Sequence, residues 1–169
     1  MPPELSLSVQ YATPTPELPR WRLRRWVLHA LSGAQKAEAS AGVPNRFRAA
    51  SLTLRLVDAD EGRRLNHEFR QKDYATNVLT FEYGIDTDGV ARGDIVLCVP
   101  VLHSEALEQK KTVLHHAAHL TVHGVLHALG YDHVDPDEAA DMEALETAIL
   151  AEMAIADPYQ DDAAQHLGR

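Results

Sequence analysis

Six of the chain's ten histidines fall between His115 and His133. The segment HGVLHALGYDH spaces three of them as HxxxHxxxxxH: His123, His127 and His133. On a helix, residues i and i+4 differ by about 40° around the axis and about 6 Å along it, so two imidazoles can converge on one ion. His133 cannot join them from the same helix, because it would lie about 15 Å along the axis from His123. The chain must turn back, and Gly130 sits where a left-handed residue ends a helix and permits that turn. Three neutral nitrogen ligands suit Zn²⁺, one per chain, and leave the fourth tetrahedral position open. An open position implies chemistry: zinc lowers the pKa of a bound water to about 7 and polarises a phosphoryl or carbonyl oxygen.

The residue after the first histidine separates two chemistries. HxxxHxxGxxH with glutamate in that place is a metzincin peptidase signature, and the glutamate is the general base. Here the position is Gly124, which cannot accept a proton. Met142 fits a helical stripe better than a Met-turn. A zinc metallopeptidase is therefore the second-ranked reading. His119 lies one turn before His123 and is a candidate proton shuttle or support for the ligands. His115 and His116 are expected at the surface, as are His29, His67, His103 and His166.

These side chains need elements to position them. Leu5, Leu7 and Val9 alternate with polar residues, as do Leu52, Leu54 and Leu56, and both patterns predict half-buried strands. Arg20 to about Ser40 reads as a helix. Asp58 or Asp60 could cap a short helix running through Leu65 and Phe69. Asn77–Tyr83 and Asp94–Val99 read as a hairpin around the long loop GIDTDGVARG. Lys110–Leu129 reads as the helix bearing the histidines. Asp135-Pro136-Asp137-Glu138 reads as a helix start, followed by the stripe Met142, Leu145, Ile149 and Met153. The expected fold is α+β. A small mixed sheet of about four strands with one hairpin is covered by about four to six helices, and the metal site lies at the end of a central helix. Residues 1–156 are expected to form one domain and 157–169 a short, polar, frayed tail.

The chain has 169 residues, 45% hydrophobic and 24% charged, which is a globular rather than a disordered mixture. The apolar run Ile95–Leu102 is too short for a membrane span, and Pro100 interrupts it. The N-terminus has no signal-peptide pattern, and one cysteine, Cys98, excludes a disulfide framework. The expected compartment is the cytoplasm, with no membrane and no disulfide-linked partner. The net charge of −9 is uneven. Residues 1–112 carry 15 Lys/Arg against 14 Asp/Glu, a balance of +1, and residues 113–169 carry 1 against 11, a balance of −10. Such a chain is a poor general nucleic-acid binder. Two local basic patches stand out: Arg20, Arg22, Arg24 and Arg25, and Arg63, Arg64, Arg70 and Lys72.

The run HLTVHGVLHALGYDH, followed by DEAADMEALE and DPY, closely resembles the C-terminal half of the YbeY family, bacterial rRNA maturation factors and endoribonucleases. Upstream, Asn66–Asp73 resembles the family's N-x-x-[YF]-R-x-K-D block, Thr76–Phe81 its TDVLSF block, and Gly93-Asp94-Ile95 its GDI block. The resemblance covers about residues 50–160. It implies an α+β fold and zinc on His123, His127 and His133, with a functional role for Arg70. It also implies cleavage of single-stranded RNA in small-subunit rRNA 3′-end processing and ribosome quality control. The implied partners are the small ribosomal subunit and assembly proteins. A non-catalytic assembly factor with structural zinc is a further alternative. Asn77 stands where the family pattern has Asp, so any role needing that carboxylate is in doubt; Asp94 and Asp132 are alternative carboxylates near the ligands.

Overall fold

A computed structural model of the chain describes residues 3–132 and 134–159. The elements are β1 (Glu4–Tyr11), α1 (Arg20–Ser40), β2 (Ala49–Val57), α2 (Ala59–Arg70), β3 (Val78–Ile85), β4 (Val90–Cys98), α3 (Val99–Glu108), α4 (Val113–Ala128) and α5 (Pro136–Glu152). The strands form one sheet in the order β1-β2-β4-β3. β2 pairs in parallel with β1 and β4, and β3 pairs antiparallel with β4. This is the expected α+β architecture, with one hairpin in a mixed sheet.

The period-2 geometry of β4 divides the core. Ile95 and Leu97 point into the main cluster with α1, α4 and α5, while Val96 and Cys98 point to a smaller cluster that includes Leu65 of α2. A strand buried on both faces reads as a continuous apolar run. α4 is the central helix: Val122, Val125 and Leu126 are fully buried on it. It comes close to the sheet at Gly124, where an added Cβ would lie 2.8 Å from Cγ2 of Ile95.

Most local starts and stops follow the expected chemistry. The Asp58 carboxylate accepts from the Glu61 N–H at 2.9 Å and caps α2. Met142 and Ile149 of the α5 stripe are 1% exposed. Three features differ from expectation. Pro100 does not interrupt an apolar element; it sits in the first turn of α3, which follows β4 without a loop. The hairpin loop is shorter than expected, because both strands run into the glycine-containing stretch and leave only Asp86–Gly89 between them. Asp135 precedes α5 as expected, but its side chain makes no capping hydrogen bond. The residues after α5 are held to the fold as far as Tyr159: Pro158 is buried, and its carbonyl accepts from Lys111 Nζ at 2.9 Å. The rest of the expected tail lies outside the described residues. No helix among the described residues is long and apolar enough to cross a membrane.

Candidate metal centre

α4 presents its histidines as a ladder. His116, His119, His123 and His127 follow one another at spacings of three and four, with neighbouring ring centroids 6.3, 6.2 and 4.6 Å apart. The closest pair is His123 and His127, the two expected to share an ion. Both rings are half-buried and line an open groove of about 820 Å³.

The helix ends as the spacing requires. The Gly130 N–H donates to the His127 carbonyl at 2.9 Å, and the Tyr131 N–H donates to the Leu126 carbonyl at 3.0 Å. Gly130 has φ +99°, the left-handed value that reverses the chain. Tyr131 and Asp132, just beyond the reversal, line the same groove. His133 lies outside the described residues.

Glu146 of α5 stands behind the ladder and is fully buried. One of its oxygens accepts from His119 Nε2 at 2.7 Å and from the Tyr159 hydroxyl at 3.1 Å. The other accepts from His123 Nδ1 at 3.2 Å. Burial pushes the Glu146 carboxyl up, but the hydrogen bonds and charge of His119 and His123 outweigh it and hold the group at about 2. A carboxylate there favours a proton on His123 Nδ1, so that when the ring is neutral its lone pair is on Nε2. Among the described residues, ligand atoms of His119, His123 and Glu146 lie within 4.8 Å of one another, so this group could hold a metal ion. Sequence reading missed Glu146 as a site residue. Its signal was position: it lies four residues after Met142 and three before Ile149, a carboxylate in an apolar stripe.

The end of α2 supplies positive charge. Arg70 and Lys72 are exposed and line the groove. Arg70 Nη2 donates to the Thr80 carbonyl at 2.9 Å, which anchors the guanidinium against β3. Phe69 meets Phe81 edge-on, with centroids 5.3 Å apart. No carboxylate pairs with Arg70 among the described residues, so it is not the surface ion pair that a helix end often carries.

Other expected residues sort by position. His116 is a correction: it is not at the surface but 3% exposed, because α3 packs over it and Glu105 accepts from its Nε2 at 2.9 Å. Burial depresses its basicity against the opposing pull of Glu105. His115, His67 and His103 are exposed as expected, His29 is half-buried, and His166 lies outside the described residues. Asn77 serves the Glu105 cluster rather than the groove pair. Its Nδ2 donates to Glu105 at 3.0 Å while its Oδ1 accepts from the Val78 N–H at 2.6 Å. A carboxylate in its place would face a second carboxylate, so the amide suits this environment. Asp94 accepts from the Tyr83 hydroxyl at 2.8 Å across the hairpin, whereas Asp132 borders the groove.

Residues 9–154 match the sequence model of the family described as endoribonuclease YbeY. The chain belongs to the YbeY family. An endoribonuclease YbeY of Bordetella pertussis is 67% identical over 159 residues, covering 94% of this chain and 98% of that protein. The YbeY of Thiobacillus denitrificans is 48% identical over 160 residues, covering 94% and 99%. The solution structure of TM1509 from Thermotoga maritima superposes with a TM-score of 0.54 at 22% identity, over 88% of this chain and 91% of that one. That likeness concerns the fold alone: the YbeY-type sheet and helices are shared.

Proposed function

We propose that this YbeY-family chain is a zinc-dependent, single-strand-specific endoribonuclease. It would act in the cytoplasm on ribosomal RNA, in small-subunit 3′-end maturation and ribosome quality control, with the small subunit and assembly proteins as partners. Residues 1–156 would form one hydrolase domain and 157–169 its tail. The observation that carries the reading is the His123–His127 pair, 4.6 Å apart in the wall of a groove that also presents Arg70 and Lys72.

The donor set fits one zinc ion held by His123, His127 and His133. Glu146 gives His123 the tautomer a ligand needs. Its own oxygens already accept two imidazole N–H groups and a hydroxyl, which favours an orienting role over direct ligation. Zinc there would supply Lewis acidity toward a phosphoryl oxygen and lower the pKa of a nearby water. Arg70 would grip the scissile phosphodiester through parallel N–H donors and offset charge that builds in the transition state. Lys72 would add point charge on the same wall. His119 faces the other side of Glu146 from the groove pair; it would hold that carboxylate ionised and could pass a proton along it. A glutamate base at position 124, as the peptidase reading requires, has no room, because that position faces Ile95 of the sheet.

Metal content and cleavage of a single-stranded RNA, measured together, test the assignment. His123→Ala, His127→Ala and His133→Ala are each expected to lose the ion and the cleavage while keeping the wild-type circular dichroism. Glu146→Gln is expected to weaken zinc binding roughly 10- to 100-fold, with cleavage restored by excess zinc. A His127→Ala protein that keeps one ion would instead place the metal on His119, His123 and Glu146. Unfolding of every histidine variant would favour a structural zinc in an assembly factor. Turnover of casein with no turnover of RNA would favour the peptidase. A 2′,3′-cyclic phosphate product would identify the RNA 2′-hydroxyl as the attacking group.

A further inference from the structure

We infer that the exposed face of the first two turns of α1 is a docking site for single-stranded RNA, separate from the cleavage groove. At 100° per residue, Arg24, Trp21, Arg25 and Arg22 fall about 40°, 100°, 140° and 200° round the helix from Arg20. The buried residues Leu23, Trp26, Val27 and Ala30 face the other way, into the core. The outward face is therefore an indole flanked on both sides by guanidinium groups. Trp21 is 59% exposed, and the Arg22 guanidinium lies 4.7 Å from its ring centroid.

The charge pattern points to an outside anion. The chain holds 25 Asp and Glu against 16 Lys and Arg, so an arginine does not lack a partner for want of acids. Arg46, Arg48, Arg55, Arg63 and Arg92 each pair with a carboxylate. Among the described residues, Arg20, Arg22, Arg24 and Arg25 pair with none. Glu17, the nearest acid in sequence, is engaged by His103 Nε2 at 2.9 Å. Arg20 and Arg24 each use one Nη2 on the Val9 and Leu5 carbonyls of β1, at 3.3 Å, which fixes them along the sheet margin. A guanidinium has five N–H donors, so each keeps others for a phosphate.

An aromatic platform among unpaired cations is the recognition chemistry of single-stranded nucleic acid: bases stack and phosphates pair. An acidic protein would use the arginines but would have no need of an exposed indole. The site also lies away from the groove. β1 and β3 are opposite margins of the sheet, three strand spacings or about 14 Å apart. A strand held at α1 and cut at α4 would thus be gripped twice, which suits a protein whose C-terminal third repels phosphate.

The test uses the full-length protein, zinc bound, and a fluorescein-labelled 2′-O-methyl oligouridylate of about twelve nucleotides, with affinity read for every variant from probe anisotropy and intactness checked by gel. Binding is expected to quench Trp21 emission, with the buried Trp26 as internal control. Trp21→Ala/Arg22→Ala/Arg25→Ala is expected to weaken binding roughly tenfold or more and to flatten the salt dependence by about 0.7 per lost phosphate contact. Arg22→Lys/Arg25→Lys is expected to stay close to wild type in salt dependence. Trp21 and Arg25 are exposed and Arg22 is half-buried, so Trp21→Ala/Arg25→Ala, which leaves Arg22 in place, is measured alongside and is expected to weaken binding with an unchanged melting temperature. Affinity within twofold of wild type for the triple variant overturns the proposal. Equal competition by oligoglutamate also overturns it, in favour of an acidic protein. His127→Ala is expected to lose cleavage and the groove's share of the affinity, and the α1 substitutions should weaken binding by the same factor in that background, so the docking site and the cleavage site stand or fall separately.

Discussion

At the scale of single residues, geometry distinguishes groups that hold a ligand from groups that hold those groups. Arg70 is anchored by one bond to the Thr80 carbonyl and keeps its remaining donors toward the groove. A lysine at that position retains the charge but loses the planar fork that matches a phosphate. Arg70→Lys is therefore expected to lower kcat for RNA cleavage by roughly 10- to 100-fold, with zinc content unchanged, as single-turnover kinetics and metal analysis would read. The meeting of His123 and His127 was legible from spacing alone, because i and i+4 on a helix determine which rings meet. Glu146 was not, because its partners are 23 and 27 residues away and only the packing of α5 on α4 reveals them. His116 was misjudged for the same reason: nothing local to it announces that α3 covers it.

At the scale of elements, the limiting contact is between α4 and the sheet. His123 and His127 sit in the groove wall beside the flank of α4 that packs on β4, and Gly124 allows that flank to come close. A Cβ there would come 2.8 Å from Cγ2 of Ile95. Gly124→Ala gains about 1 kcal/mol of helix propensity and costs about 1–3 kcal/mol of overpacking, so a net loss is expected in urea unfolding. Pairing it with Ile95→Ala, which removes the clashing methyl, should cost less than the sum of the two single changes. The strands and four of the helices followed from alternation, residue composition and capping signals together. α3 did not, because β4 and α3 share one apolar run without a turn between them, and a short buried run carries no period that separates strand from helix. Pro100 was the available clue: it starts a helix as readily as it breaks a strand.

At the scale of the whole molecule, distant parts are tied by a few polar clasps. Glu38 near the end of α1 takes two bonds from Arg46, both 2.8 Å, and one from the Tyr131 hydroxyl at 2.7 Å, while Arg46 also donates to the Leu129 carbonyl. The helix behind the sheet is thereby tied to the turn that follows the metal-bearing helix. Burial raises the Glu38 carboxyl, but Arg46 and Tyr131 bring it below its ordinary 4.5. A depressed carboxylate contributes its stability above its unfolded pKa and loses it as pH falls through the folded value. Glu38→Gln is accordingly expected to lower the melting temperature at pH 7, and the gap from wild type should narrow below about pH 4. A gap that does not change with pH would show that the clasp acts through shape rather than charge.

The single thiol has a use that its chemistry does not suggest. Cys98 is 2% exposed, its Sγ lies 3.6 Å from the Asp58 carbonyl, and burial keeps it protonated. It sits beneath the helix that ends at Arg70. An alkylating reagent in solution reaches that sulfur only during the intervals when the helix lifts from the sheet. The labelling rate is thus a clock for the arm that carries the guanidinium, and RNA in the groove should slow the clock by holding the arm down.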